Sequence, residues 1–228
     1  KRKSSTCSWG EMEMCNLQNN DLLCSKCRCQ RDKLFKYIDM KNSVTMATLG
    51  PEGTTSSEAA KVFKKYIETR NQQANLKIDL YNSFELALNE IHKRNADFIL
   101  LPNAYGKMTY FYWDTTIELG FTFINKTPEY GIAMLDKKNL YDKPTLSIST
   151  CKAVEHLLQE LMDTTEFRYK NYEIVEANST TESLMLLEDG KVDLALTNDT
   201  SLKNSEAYFI SKTKSTEVLW SVFMLKTV

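Results

Sequence analysis

Thr48-Leu49-Gly50-Pro51-Glu52-Gly53-Thr54-Thr55-Ser56-Ser57-Glu58-Ala59-Ala60 is the stretch on which the reading of this chain turns. An apolar, strand-like approach from Val44 to Leu49 runs into a Gly-Pro-x-Gly turn, and four hydroxyl residues lead into a helical run. The two glycines permit tight backbone and close approach, and Pro51 pre-sets one turn dihedral. Thr55 and Glu58 have capping-box spacing, so Thr55 or a neighbour is expected to cap the helix. Free amides at a helix start, among hydroxyls, form a cradle for a small anion. An ordinary strand–turn–helix junction with a good cap is the alternative.

From there the pattern alternates. Short β-branched or aliphatic runs predict strands at 44–49, 76–81, 97–101, 145–148, 172–176 and 192–196. Helices are predicted at 55–70, 83–94, 151–163 and 180–189, the last stopped by Gly190. Two β-α-β-α-β stretches, 44–101 and 145–197, flank an aromatic-rich middle from Tyr105 to Met134. Alternation of this kind implies parallel sheet covered by helices. The expected architecture is therefore α/β and two-lobed, with lobe 1 at about 44–103 and 204–228 and lobe 2 at about 104–203. Strand-like runs at Ala207–Ser211 and Val218–Leu225 are expected to return to lobe 1, the two crossovers forming a hinge. A ligand belongs at the carboxyl ends of the strands, in the cleft between the lobes.

The 228 residues are 42% hydrophobic and 26% charged with a net charge of −1, which gives no reason to expect nucleic acid or an anionic membrane as partner. No apolar run is long enough to span a bilayer, and the first thirty residues lack a signal-peptide core, so the expected location is cytoplasmic. The sequence begins at Lys1, not Met, and reads as a piece of something longer or processed. Residues 1–41 form a polar, Cys-rich extension; Lys33 to Ile38 could make a short helix within it. Cys24 and Cys27 have the spacing of a zinc knuckle, and Cys7 and Cys15 would complete four thiolates in a structural zinc site. Free thiols on an extension are the other reading.

Each predicted strand is followed by small, hydroxylic or amide residues: Gly50 to Ser57, Pro102 to Lys107, Ser149 to Lys152, Asn178 to Thr181, and Thr197 to Thr200. Singly they read as helix caps; together they describe a pocket for a polar, oxygen-rich anion. Conventional catalytic sets are missing. His92 and His156 fall within predicted helices, and Cys151 reads as packing or as a helix-start thiolate. Tyr110-Phe111-Tyr112-Trp113 reads as core and hinge packing.

Thr48–Ala60 resembles the Gly-Pro-x-Gly-Thr-x-Ser-x-x-Ala signature of the prephenate dehydratase domain family, and the similarity continues through Asp97–Pro102, Ser179–Thr181 and Asp193–Asn198. The resemblance covers residues 44–228 and implies a two-lobed catalytic domain like type II periplasmic binding proteins, with prephenate in the interlobe cleft. Two departures matter. Where the dehydratases have Glu-Asn-Ser this chain has Asn103-Ala104-Tyr105-Gly106, and their Thr-Arg-Phe has no counterpart, since no arginine follows Arg168. Pro102-x-Ala104-Tyr105, Tyr110–Tyr112, Thr127-Pro128-x-Tyr130-Gly131, Ala195–Asn198 and Lys214 through Phe223 resemble more closely the prephenate decarboxylases of bacilysin (anticapsin) biosynthesis, where Asn103 replaces a histidine.

That resemblance implies a cofactor-independent carboxy-lyase converting prephenate, or a close analogue, to a dihydro-4-hydroxyphenylpyruvate. Thr54, Thr55 and Ser56, with Ser179 and Thr180 from the other lobe, are the expected anchors for the substrate carboxylate. Tyr105 is the candidate proton donor, with Asn103 beside it, and Lys214 a candidate countercharge. Trp220 is expected to fill the place of the dehydratase arginine and phenylalanine, with Ser221 next to it. A catalytically silent binding module, a divergent dehydratase, and a homo-oligomer built from any of these remain open on the residues alone.

Overall fold

The computed structural model describes residues 25–135 and 140–226. Of the expected zinc ligands, Cys7, Cys15 and Cys24 lie outside the described residues, and Cys27 falls in the first turn of the opening helix, α1 (Ser25–Lys41). Two five-stranded sheets organise the rest. The first has the order β2-β1-β3-β10-β4, from β1 (Ser43–Leu49), β2 (Asn75–Tyr81), β3 (Phe98–Pro102), β4 (Ile117–Lys126) and β10 (Glu217–Leu225). The second has the order β7-β6-β8-β5-β9, from β5 (Tyr130–Met134), β6 (Thr145–Thr150), β7 (Asn171–Glu176), β8 (Leu194–Asn198) and β9 (Tyr208–Phe209).

In each sheet a β-α-β-α-β unit supplies three parallel strands, and the next strand beside them pairs antiparallel, β10 following its unit and β5 preceding its own. Alternation along β1, β3 and β10 sends Val44, Met46, Phe98, Leu100, Trp220 and Val222 to one face, where they pack on α1 and α2 (Thr55–Arg70). Ala47, Ile99, Leu101 and Phe223 go to the other face, under α3 (Phe84–His92) and α4 (Met108–Trp113). The second sheet is covered in the same manner, by the 3-10 turn Glu155–Leu157 with α5 (Leu158–Met162) on one side and α6 (Thr180–Glu188) on the other. Asp97 and Asp193 play matching parts at the heads of the central strands. The first accepts Thr45 N–H at 2.8 Å and the second Ser147 N–H at 2.9 Å, each tying β3 or β8 to its neighbour.

The division between sheets differs from the expected boundaries. β4 is an edge strand of the first sheet, though residues beyond 103 were expected in lobe 2, and β9 joins the second sheet, though residues beyond 204 were expected in lobe 1. A bulge is the reason β4 escapes period-2 reading. Leu119 pairs with Phe223 and Phe121 with Val222, so Gly120 is the extra residue and the inward phase flips across it. Ile117 and Leu119 therefore face α4, whereas Phe121 and Phe123 face α1 and α2.

The extension, too, is only partly an appendage. Leu34, Phe35 and Ile38 of α1 are buried in the first lobe's core, and Arg70 of α2 makes a two-pronged pair with Asp39 at 2.9 and 2.8 Å. The two crossovers, at about 127–130 and 211–216, lie side by side. Tyr130 and Lys214 exchange backbone bonds of 2.7 and 2.9 Å, and Thr127 N–H donates to Thr216 O at 2.8 Å. Among the described residues no helix is long and apolar enough to cross a membrane.

Candidate functional site between the lobes

The turn after β1 places the start of α2 against the second lobe. Thr54, not Thr55, is the N-cap: its hydroxyl accepts Ser57 N–H at 3.2 Å and donates to Leu49 O at 3.1 Å. The residue at the box's return position is then Ser57, whose hydroxyl donates to Thr54 O, so no glutamate box forms. Thr54 is thus fully committed to structure. Thr55 and Ser56 occupy the first helical turn, where amides have no helical acceptor. The Thr55 hydroxyl reaches across to the Tyr130 phenol of the other lobe. Ser56 is buried, and its hydroxyl makes no hydrogen bond among the described residues.

The second lobe meets this turn with the start of α6 and the end of β8. Ser179 caps α6, accepting Glu182 N–H at 3.1 Å, but unlike Thr54 its hydroxyl gives its own proton to no acceptor among the described residues. Asn198 ends β8 with its side chain wholly buried. Its Nδ2 donates to Thr180 Oγ1 at 2.8 Å and to Gly53 O at 3.2 Å, and its Oδ1 accepts Ser201 N–H at 2.9 Å. Ser201 Oγ adds a second bond to Gly53 O, at 3.3 Å. Gly53 stands at φ 84°, and a Cβ there would sit 3.4 Å from Ser201 Oγ. Glycine is what lets this carbonyl turn toward the second lobe. Burial pushes the Tyr130 phenol up, with Thr55 partly opposing it.

The structure thus brings Thr55 and Thr180 together with Gly53, Tyr130, Asn198 and Ser201, at the facing starts of α2 and α6, with Ser56 next to Thr55 on the buried face of α2. Of the four partners, Gly53 and Asn198 stood within the stretches marked after predicted strands and Tyr130 within the family resemblance, but none was singled out as a site residue, and Ser201 was not reached. Asn198 stood in the stretch after a predicted strand, where its capping residue type was visible. Tyr130 opens a strand the reading did not find, so no after-strand rule could reach it.

The other expected site residues send no side-chain hydrogen bond to this group, though Lys214 pairs with Tyr130 through the backbone. Ser221 and Trp220 are adjacent in β10 and so face opposite sides of the sheet. Ser221 Oγ donates to Asn103 Oδ1 at 2.6 Å on the α4 side, while Trp220 is buried against α1 and α2. The Trp220 indole N–H has no acceptor among the described residues. Tyr105 packs its ring on Phe84, 4.7 Å between centroids, and its phenol donates to Glu85 at 2.9 Å. Lys107 reaches the same carboxylate at 2.9 Å and holds it down to about 2, whereas burial, aided by Glu85, pushes the Tyr105 phenol up to about 12. Lys214 is an exposed hinge residue paired with Glu160 at 2.6 Å, so its charge is already matched. Cys151 is buried core with its thiol pushed up by burial, as packing requires. Of the aromatic run, Phe111 is buried but Tyr110, Tyr112 and Trp113 are exposed, against the expectation of core packing.

These commitments separate two kinds of hydroxyl. Thr54→Ala should lower unfolding stability by about 0.5–2 kcal/mol, the usual loss of an N-cap, measurable as a shifted urea midpoint. Ser56→Ala should leave that midpoint in place and weaken anion binding by about 1.5–3 kcal/mol, the range for a hydrogen bond to a charged group, as read by calorimetry. The reverse pattern would move the anion away from the α2 start.

No family model matches the chain. Curated relatives do: a prephenate decarboxylase of Planktothrix agardhii is 30% identical over 199 residues, 84% of this chain and 93% of that protein. One from Bacillus subtilis is 29% identical over 198 residues, 82% and 90% of the two chains. Among solved structures, the prephenate dehydratase of Arthrobacter aurescens in complex with L-Phe has a TM-score of 0.58 at 18% identity, covering 81% of this chain and 61% of that one. The methionine-binding protein MetQ, at a TM-score of 0.54 and 13% identity, shares the two-lobed architecture. The chain belongs to the prephenate decarboxylase family.

Proposed function

We propose that this chain decarboxylates prephenate, or a close analogue, without aromatising the ring, to give a dihydro-4-hydroxyphenylpyruvate. The observation that carries the reading is its similarity, over nearly their whole length, to proteins named for that reaction. The bond from ring to carboxylate breaks, its electron pair moves through the diene, carbon dioxide departs, and one proton is added at a remote ring carbon. The diene is its own electron sink, so the reading needs no cofactor. A structural zinc on Cys7, Cys15, Cys24 and Cys27 stays a separate proposal, for which elemental analysis is the measure.

The protein has three tasks: to hold the pyruvyl carboxylate, to keep water from the ring, and to supply the proton. Thr55, Ser56 and Thr180, with the first-turn amides of α2 and α6, suit the first task because both helix starts offer donors to one anion. Tyr105 is the proposed donor. Retention of the hydroxyl agrees with β10, which carries Trp220 and Ser221 and no arginine. A group able to protonate the ring hydroxyl would favour the competing loss of water.

The test is incubation with prephenate and mass detection of product. Loss of carbon dioxide alone supports the reading. Phenylpyruvate, formed by loss of water as well, would replace it with a dehydratase, and saturable binding without turnover with a binding module.

A further inference from the structure

We propose that Asn198 is a positioning residue that fixes the Thr180 hydroxyl as a donor into the junction and ties that hydroxyl to the α2 turn of the other lobe. The inference rests on the proposed function, since the anion so held is the substrate's carboxylate.

The orientation of the carboxamide follows from its partners. Ser201 N–H can only donate, so the Asn198 oxygen must face it; Gly53 O can only accept, so the Asn198 nitrogen must face that. Thr180 Oγ1 lies 2.8 Å from the nitrogen and therefore accepts an N–H. Its own proton has no acceptor among the described residues, although the side chain is only 6% exposed. A buried hydroxyl that receives one bond and gives none is poised to give one to an anion. It stands at the first position of α6, a nine-residue helix whose start carries its own unpaired amides. Through Gly53 O the same carboxamide holds the turn that leads to Thr55 and Ser56, so one side chain sets donors from both lobes.

The polarity of Asn198 distinguishes this from a merely structural role. Asn198→Asp keeps the shape and can still accept Ser201 N–H, but its carboxylate would take the Thr180 proton and set a negative charge beside the substrate's. Asn198→Ala loses the bonds yet leaves Thr180 free to donate. Prephenate KM should rise about ten-fold in Asn198→Ala and about a hundred-fold in Asn198→Asp, with kcat changed less than three-fold in either. A residue needed only for packing would give the opposite order, with Asp the milder change, and that order would overturn the proposal. Combining Thr180→Val with Asn198→Ala should raise KM by clearly less than the product of the two single effects; multiplying effects would also overturn it.

Amide exchange supplies a readout that does not depend on the reaction. In Asn198→Ala the amides of Ser57 and Glu58, which donate to Thr54 in the other lobe, should exchange at least ten-fold faster than in the unchanged chain. If the unchanged chain turns out not to bind prephenate, the functional reading fails and this arm alone decides. Unaltered exchange there would show that Asn198 does not hold the α2 turn.

Discussion

Leu34→Ala is expected to cost about 2–5 kcal/mol of unfolding free energy, the range for deleting a fully buried leucine. Leu34 is wholly buried in α1 and lies over β4, where a Cβ on Gly120 would come within 2.7 Å of its Cδ1. The missing Cβ is what lets the helix settle on the sheet. With Phe35 and Ile38, Leu34 closes the core that Phe63, Phe98 and Trp220 fill from α2, β3 and β10. Truncation leaves a cavity over the sheet, and the Arg70–Asp39 clamp holds α1 in place, so little collapse can relieve it. Against a total of roughly 5–15 kcal/mol for a domain, the loss is large. Met40→Ala, at a position 75% exposed on the same helix, should stay within about 0.5 kcal/mol. Urea unfolding followed by tryptophan fluorescence measures both. A cost below about 1 kcal/mol at Leu34 would mean that α1 does not belong to the first lobe's core.

That result bears on how far sequence reaches here. The parallel strands β1, β2, β3, β6, β7 and β8 were legible because each is a short aliphatic run with a polar boundary. α2, α3 and α6 were legible because their apolar positions recur at helical spacing. α1 was discounted because its buried stripe is only Leu34, Phe35 and Ile38 in a segment otherwise charged, and such a stripe gains meaning only once a sheet lies under it. β4 was lost to the phase flip at Gly120, which turns two clean half-strands into one irregular aromatic run. β5 was lost for the opposite reason. All five of its residues are buried, and Tyr130 to Met134 shows no alternation to find.

The site divides along similar lines. Hydroxylic residues before helices could be seen, but whether a given hydroxyl caps its own helix or faces outward depends on one residue of register. Thr54 spends both its bonds on its own helix and turn, while Ser179 and Thr180 each accept one bond and keep their protons, and Ser56 keeps its full bonding capacity. Trp220 and Ser221 were read as neighbours from adjacency in sequence, which in a strand places side chains on opposite faces. Cross-lobe pairs such as Gly53 with Asn198 leave no local trace at all, because their partners are 145 residues apart.

Tyr105→Phe is expected to slow turnover by roughly 10²–10⁴, the usual contribution of a positioned acid, with KM for prephenate changed little. The phenol is protonated throughout the neutral range, because burial and the Glu85 carboxylate push it up to about 12. Glu85 cannot be the acid itself, since Lys107 holds it down to about 2 and it is ionised at neutral pH. The cluster therefore carries its transferable proton on Tyr105. A phenol this weak is a poor donor to an alcohol, but the electron pair released by decarboxylation develops on carbon, a far stronger base. Such an acid would favour ring protonation over hydroxide loss, the selectivity that the proposed reaction demands. Removing the hydroxyl leaves the ring packed on Phe84, so unfolding stability should fall by only about 1 kcal/mol. Because the acid must be protonated to work, kcat should be flat through neutral pH and fall only as pH rises toward about 12. Glu85→Gln gives an independent check: without the carboxylate the phenol becomes more acidic and its fall in rate should begin at lower pH. If Tyr105→Phe turns over at an undiminished rate, the proton comes from elsewhere. The Tyr130 phenol, already at the junction beside Thr55, is then the group whose removal should carry the loss.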